Sequence, residues 1–169
     1  MINGKLVSKH YRHFALEKVS FQFDRGINLL KGKSGSGKTT LLQLALGIIK
    51  PDEGEITTDI WTKDAAAARF RDVISYLPYD NFLSKNISLN QAEEDAGAEG
   101  IPFDKERFAQ LKERFSFEKL ANKKLNKCSG GERKIANLIY ALSKPCRVLA
   151  LDEPFAPLDR HAKKVLADE

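Results

Sequence analysis

The run Gly32-Lys33-Ser34-Gly35-Ser36-Gly37-Lys38-Thr39-Thr40 has the spacing G-x-x-x-x-G-K-[ST], which suits the binding of phosphate. Glycines let successive backbone N–H groups turn inward around phosphate oxygens where a side chain would clash. A helix starting near Lys38 adds its positive end to the same anion. Gly32, Ser34, Gly35, Ser36, Gly37, Lys38, Thr39 and Thr40 are the candidate phosphate-binding set; Lys38 can reach the β- and γ-phosphates, and the Thr39 hydroxyl can ligate Mg²⁺. A second chemical grouping lies more than a hundred residues on, where Val148-Leu149-Ala150-Leu151 runs straight into Asp152-Glu153-Pro154. A buried parallel strand carries acids only at its end, where they face a ligand crevice. Asp152 is placed to hold Mg²⁺ through water, and Glu153 to orient or deprotonate an attacking water. Alone, such an acid pair is more often a helix cap or a solvated loop; beside a phosphate loop it gains a chemical purpose.

These groups need a strand before the loop, a helix after it and a sheet to carry the acids. Val19-Ser20-Phe21-Gln22-Phe23 alternates as a strand, Asp24-Arg25-Gly26 is a turn, and Ile27-Asn28-Leu29-Leu30 is expected to be the strand entering the loop. Leu41, Leu42, Leu44, Ala45 and Ile48 follow at helical spacing. Pro51 to Gly54 suits a turn, Glu55 to Thr58 a short strand, Ala65 to Phe70 a helix, and Val73 to Leu77 a strand stopped by Pro78. About residues 80–127 the composition changes: an acidic, small-residue stretch precedes Phe103, Phe108, Leu111, Phe115 and Leu120 at amphipathic spacing. The expected organisation is a single domain over 1–169, with a core from 1–79 and 128–169 and a helical subdomain over about 80–127.

The 169 residues, 42% hydrophobic and 30% charged, are enough for one cored domain and argue against bulk disorder. A net charge of +5 is modest and fits a solvated surface, so no nucleic-acid partner is expected. No apolar run approaches the length of a membrane span, and the first residues lack the charged-then-apolar pattern of a secretory signal. Cys128 and Cys146 form no disulfide framework or metal-ligand pattern, which fits a reducing cytosol.

Upstream of the acidic strand, Cys128-Ser129-Gly130-Gly131-Glu132 opens a helix and resembles the L-S-G-G-Q signature of ATP-binding cassette (ABC) ATPases. The motif order completes the resemblance, which covers residues 5–169: phosphate loop, helical insertion, Ser-Gly-Gly, Leu-Asp-Glu-Pro, then Phe155-Ala156-Pro157-Leu158-Asp159, similar to the family's D-loop with Asp159 at its end. It implies an α/β fold with a P-loop NTPase core, an antiparallel β subdomain and a helical insertion. It also implies ATP and Mg²⁺ as ligands and a head-to-tail dimer, each ATP lying between one subunit's phosphate loop and the other's signature residues Ser129, Gly130, Gly131 and Glu132. An aromatic near the N-terminus stacks on adenine in this family; Tyr11 is the best-placed candidate, with His10, His13 and Phe14 nearby.

Several positions depart from the family pattern. Tyr79 follows Tyr76-Leu77-Pro78 where the family has its Q-loop Gln, and a phenol cannot copy an amide's paired donor and acceptor. The helix after the signature reads Ile135-Ala136-Asn137-Leu138-Ile139-Tyr140 where arginines are usual. The family's closing strand and γ-phosphate-contacting His are not found before Glu169, and His161 lies too close to the D-loop to be that His, so it is expected on a helix surface. The implied function is the ATP-binding and ATP-hydrolysing subunit of an ABC transporter. It would pair with a second ATPase subunit and separate transmembrane subunits, and lie in the cytoplasm against the membrane. The alternatives are a soluble cassette ATPase of DNA repair or translation, and a degenerate cassette that binds ATP with little hydrolysis. Nothing in the residues names a transported substrate or a direction.

Overall fold

The computed structural model of the chain describes residues 1–60 and 73–169. It divides into two compact units, Met1–Phe70 and Arg71–Glu169. The helix expected over Ala65–Phe70 lies outside the described residues.

The first unit is built on an antiparallel sheet of order β2-β1-β3, from β1 (Ile2–Tyr11), β2 (Phe14–Phe23) and β3 (Glu53–Thr58). β1 and β2 form a hairpin that closes at Tyr11↔Phe14 over Arg12-His13. Asp52, just before β3, ties the far end of that hairpin: its carboxylate accepts from the His10 N–H at 2.7 Å and from the Lys9 ammonium at 2.7 Å. The Lys9 hydrogen bond, then the His10 amide, hold the Asp52 carboxyl below its ordinary range. Against the sheet, α1 (Lys38–Ala45) buries Leu41 and Leu44 on Val7 and Leu16. Its leucines recur every third or fourth residue, so one stripe meets the sheet.

The expected strand at Ile27–Leu30 does not form. Residues 24–33 have no regular structure, and the Ile27 and Leu29 side chains are exposed. Asn28, a poor strand former, is turned back on the preceding turn: its side-chain oxygen accepts from the Asp24 N–H at 3.1 Å and its nitrogen donates to the Asp24 carbonyl at 2.8 Å, which interrupts the apolar run. Only Leu30 packs on the unit's core.

The second unit holds a two-stranded parallel sheet, β4 (Ile74–Leu77) and β5 (Val148–Leu151), paired from Ile74↔Val148 to Leu77↔Leu151. Parallel neighbours need a long crossover, and here it contains α2 (Leu89–Ala98), α3 (Lys105–Arg114) and α4 (Gly130–Leu142). Each helix starts on a side-chain cap: Ser88 accepts from the Gln91 N–H, Asp104 from Arg107, and Ser129 from Glu132. Residues 80–127 contain α2 and α3, and they cluster with β4, α4 and β5 in the second unit. The core gathers Leu77, Leu89, Leu111 and Phe117 around α4, whose residues 136–141 are all buried. Within this core the buried Ser75 hydroxyl donates to the Ala141 carbonyl at 2.7 Å, fastening β4 to α4. After β5 a short turn leads to α5 (Arg160–Ala167), capped by Asp159 and buried through Ala162, Val165 and Leu166.

Leu138 is fully buried at the centre of α4. Leu138→Ala should destabilise the protein by about 2–5 kcal/mol, since transfer and cavity costs add. A urea unfolding series checks this, and a midpoint equal to that of the parent would contradict the described core.

Candidate functional site

The candidate residues fall into two sets, one in each compact unit, and each set is built by its own elements.

In the first unit the phosphate loop joins the irregular segment to α1. Gly35 and Gly37 have φ of 77° and 90°, which side chains rarely adopt. A Cβ at Gly37 would also stand 2.6 Å from the Phe14 ring. Gly37 occupies the cap position of α1 and offers no side chain to its N–H groups, and no acidic residue stands in the first turn. The helix therefore starts from a glycine with its positive end toward the loop and no negative side chain in its first turn, an arrangement that favours an anion. The Lys38 ammonium bends back over the loop and donates to the carbonyls of Gly32 at 3.1 Å and Lys33 at 3.0 Å. Ser34 and Ser36 are carried on the turn, closed by the Ser36 N–H on the Lys33 carbonyl, and Thr39 and Thr40 follow in the first turn of α1. Tyr11 is half-exposed and stacked on Phe14, ring centroids 6.4 Å apart and planes at 29°. Because Phe14 is also the ring beneath Gly37, the hairpin end sets Tyr11 one ring away from the phosphate loop. His10 is turned instead to Glu17 and Asp52. Phe14 was legible only as one of several nearby aromatics; its role as a floor for the loop depends on the hairpin closing at Arg12-His13.

In the second unit β5 delivers Asp152 and Glu153 at its end. The Asp152 N–H continues the ladder to the Leu77 carbonyl at 2.9 Å, and its carboxylate is buried. Glu153 turns the chain sharply, with φ at 45°, a conformation a non-glycine residue holds only where its surroundings impose it. Asp159 caps α5 through the Ala162 N–H at 2.8 Å. His161 lies on the exposed side of α5, as expected, with Nε2 3.0 Å from the Arg114 carbonyl.

The Ser-Gly-Gly motif opens α4 as a capping box. The Ser129 hydroxyl accepts from the Glu132 N–H at 3.1 Å, and the Glu132 carboxylate accepts from the Ser129 N–H at 2.8 Å. A hydroxyl that accepts in the cap still has its proton to donate. Glu132, where the family has Gln, is thus engaged by the cap and by Lys123 at 3.3 Å. The Ser129 N–H, with Lys123 behind it, holds the Glu132 carboxyl below its ordinary range. Cys128, in place of Leu, is buried in the apolar core, and that burial pushes its thiol pKa up. Gly130 and Gly131 cost helix propensity, yet their own chain does not require them: among the described residues a Cβ at Gly130 would meet nothing within 4 Å, and one at Gly131 only the Pro157 carbonyl at 3.5 Å.

Tyr79 follows β4 with its ring exposed, while its carbonyl and that of Pro78 each accept from the Lys134 ammonium at 3.2 Å. Lys134 is 2% exposed. Burial pushes it below its ordinary range, and the carboxylates of Asp152, Asp80 and Glu153 pull it back up. Lys134 thus belongs to the surroundings of the strand-end acids, and helical periodicity could not show this, since a lysine in an amphipathic pattern reads as solvent-facing. Among the described residues no three His, Cys, Asp or Glu side chains gather to hold a metal, and no helix is long and apolar enough to cross a membrane.

Comparison with known proteins shows the family of the chain. The family profile described as ABC transporter matches residues 16–156. The molybdate/tungstate import ATP-binding protein WtpC of Pyrococcus horikoshii is 32% identical over 180 residues, covering all of this chain and 50% of that protein. The sulfate/thiosulfate import ATP-binding protein CysA of Bradyrhizobium diazoefficiens is 34% identical over 168 residues, covering 95% of this chain and 49% of that protein. The chain thus spans about half the length of these relatives. Among solved structures, the ATP-binding cassette MJ0796, a dimer in a post-hydrolysis state bound to ADP and Pi, superposes with a TM-score of 0.79 at 25% identity, covering 99% of this chain and 80% of that one.

The capping box yields a pH-dependent prediction. Because the folded pKa of Glu132 is depressed, its contribution is fully present above the ordinary glutamate value of about 4.3 and is lost as the pH falls through the lower folded value. Glu132→Gln should melt about 1–3 °C below the parent at pH 7, the difference closing as the pH falls below the ordinary glutamate range. Thermal melts over that range check it; a pH-independent difference would contradict the charge-assisted cap.

Proposed function

The chain belongs to the ABC transporter family, and from that premise we propose that it is the ATP-binding and ATP-hydrolysing part of a transporter, working as one of two cassettes beside separate transmembrane subunits. The observation that carries this reading is the phosphate loop: two left-handed glycines, the N-terminus of α1 opening on Gly37 with no acid in its first turn, and the Lys38 ammonium held over the loop. Gly32 through Thr40 hold the phosphates of ATP, with Lys38 at the β- and γ-phosphates, and Tyr11 stacks on the adenine. The Thr39 hydroxyl and the Asp152 carboxylate are hard oxygen donors of the kind Mg²⁺ prefers, and they are the residues that would hold it. Bound there, the ion would neutralise charge on the β- and γ-phosphates. Glu153 orients or deprotonates the attacking water, and Tyr79 stands at the Q-loop position.

Ser129, Gly130 and Gly131 serve the ATP of a second cassette, with Glu132 holding the cap that presents them. Two glycines whose Cβ positions are open within their own chain support the close approach of something outside it. The Ser129 proton and the helix N-terminus then face a γ-phosphate, so that ATP joins the cassettes and hydrolysis releases them. Asp159 belongs to the same junction through the D-loop. Both import relatives act with uptake systems by name, which supports import as the direction and the cytoplasmic face of a membrane as the location. A cassette that binds ATP with little turnover is the second reading, favoured by Tyr79 at the Q-loop position.

Glu153→Gln separates the two. It should retain MgATP binding while turnover falls by at least about 100-fold, and it should accumulate as an ATP-bound dimer in size-exclusion chromatography. Lys38→Ala should instead weaken ATP binding itself. Turnover of Glu153→Gln equal to an active parent would remove Glu153 from the reaction, and a parent that binds ATP without hydrolysis would favour the second reading.

A further inference from the structure

Two polar side chains of α4 lie wholly inside the second unit and belong to none of the roles above. Lys134 is 2% exposed and Asn137 is fully buried. Three residues apart on a helix, they share a face, and that face meets the segment that leaves β4. The Lys134 ammonium donates to the Pro78 and Tyr79 carbonyls, both at 3.2 Å. The Asn137 side-chain oxygen accepts from the N–H groups of Phe82 at 3.0 Å and Leu83 at 2.9 Å, while its nitrogen donates to the Arg133 carbonyl at 2.8 Å. Two carbonyls and two amides of residues 78–83 are thus satisfied from one helix face.

Apolar residues would fill these positions without the cost of burying a charge and an amide. What they could not do is pair the backbone of a segment that has left its strand and has no ladder to join. Donors meet carbonyls at one end of the segment, and an acceptor meets amides at the other, so each polar group is matched in kind. The contact is also fastened by rings: Phe82 packs edge-on against Tyr140, one turn further along α4, with centroids 5.6 Å apart.

The same helix starts at the Ser-Gly-Gly motif. Lys134 is five residues from Ser129, a rise of about 7.5 Å along one continuous helix. A displacement of the signature end therefore reaches the Pro78 and Tyr79 carbonyls through hydrogen bonds, with no flexible link between them. Lys134 also feels the carboxylates of Asp152 and Glu153, so the strand-end acids lie within its electrostatic reach.

We propose that Lys134 and Asn137 are positioning residues that lock the 78–83 segment to α4, so that the signature end and the Tyr79 segment move as one body during the ATPase cycle. The proposal rests on the ATPase reading above. It assigns to the pair an effect on turnover and none on ATP contact, because neither side chain is part of the phosphate loop.

The test uses the whole chain with Asn137→Ala, Lys134→Met and the conservative Lys134→Arg, and two readouts. Amide hydrogen exchange at Phe82 and Leu83, measured without nucleotide, should rise about tenfold or more in Asn137→Ala. Steady-state ATPase should show kcat reduced about tenfold in Asn137→Ala and Lys134→Met, KM for ATP within about twofold of the parent, and kcat largely restored in Lys134→Arg. Unchanged exchange in Asn137→Ala would overturn the lock, as would parental kcat in both loss variants, or a Lys134→Arg as slow as Lys134→Met, which would make Lys134 mere packing. Should Lys134→Met fail to fold, Asn137→Ala decides both readouts. A parent without ATPase activity would remove the hydrolysis reading, and the exchange measurement would still decide the lock.

Discussion

The second unit is organised by the burial of α4. A helix enclosed on nearly all sides must satisfy its own ends and present its neighbours with groups they can use. It does so at three levels: a reciprocal cap between Ser129 and Glu132, a polar face of Lys134 and Asn137 that takes up the backbone leaving β4, and the Ala141 carbonyl that receives the Ser75 hydroxyl. The strand-end acids are placed by the same constraint, since β5 pairs only with β4, among the described residues, and β4 is fastened to α4. The Ser-Gly-Gly motif, the segment of Tyr79 and the carboxylates of Asp152 and Glu153 therefore share one rigid support.

The first unit solves a different problem, the presentation of a helix N-terminus to an anion. An acid in the first turn would repel a phosphate, and Lys38-Thr39-Thr40 carries none. The missing side chain of Gly37 lets Phe14 close beneath the loop. The hairpin of β1 and β2 contributes through its turn, which brings Tyr11 and Phe14 to one end and so links an aromatic surface to the anion-binding loop.

The departures from the family pattern become physically coherent once their surroundings are known. Cys128 keeps an apolar position apolar. Glu132 completes a capping box that a Gln could also form, with the added help of Lys123. Asn137, which as a sequence character only marks the absence of an expected pattern, pairs two amides that an alanine would leave without a partner. Tyr79 remains a substitution whose carbonyl, rather than its ring, is the part its own unit holds.

Much of this was legible in the residues. The phosphate loop, the helix of Gly130–Leu142, the strand of Val148–Leu151 and the carboxylates at its end follow from short-range rules: glycine spacing, capping chemistry and apolar runs with polar stops. These are local, so sequence by itself determined them. What it mistook was Ile27–Leu30, where apolar character suggested a strand but the Asn28 side chain is bonded back to Asp24 in the preceding turn. What it could not see were Lys134 and Asn137, because helical periodicity assigns a lysine to water unless something distant requires its proton. Their carbonyl and amide partners lie more than fifty residues away in the chain. Only tertiary structure brings such groups within 3.2 Å of one another, and only there does burial convert an ordinary surface residue into a structural one.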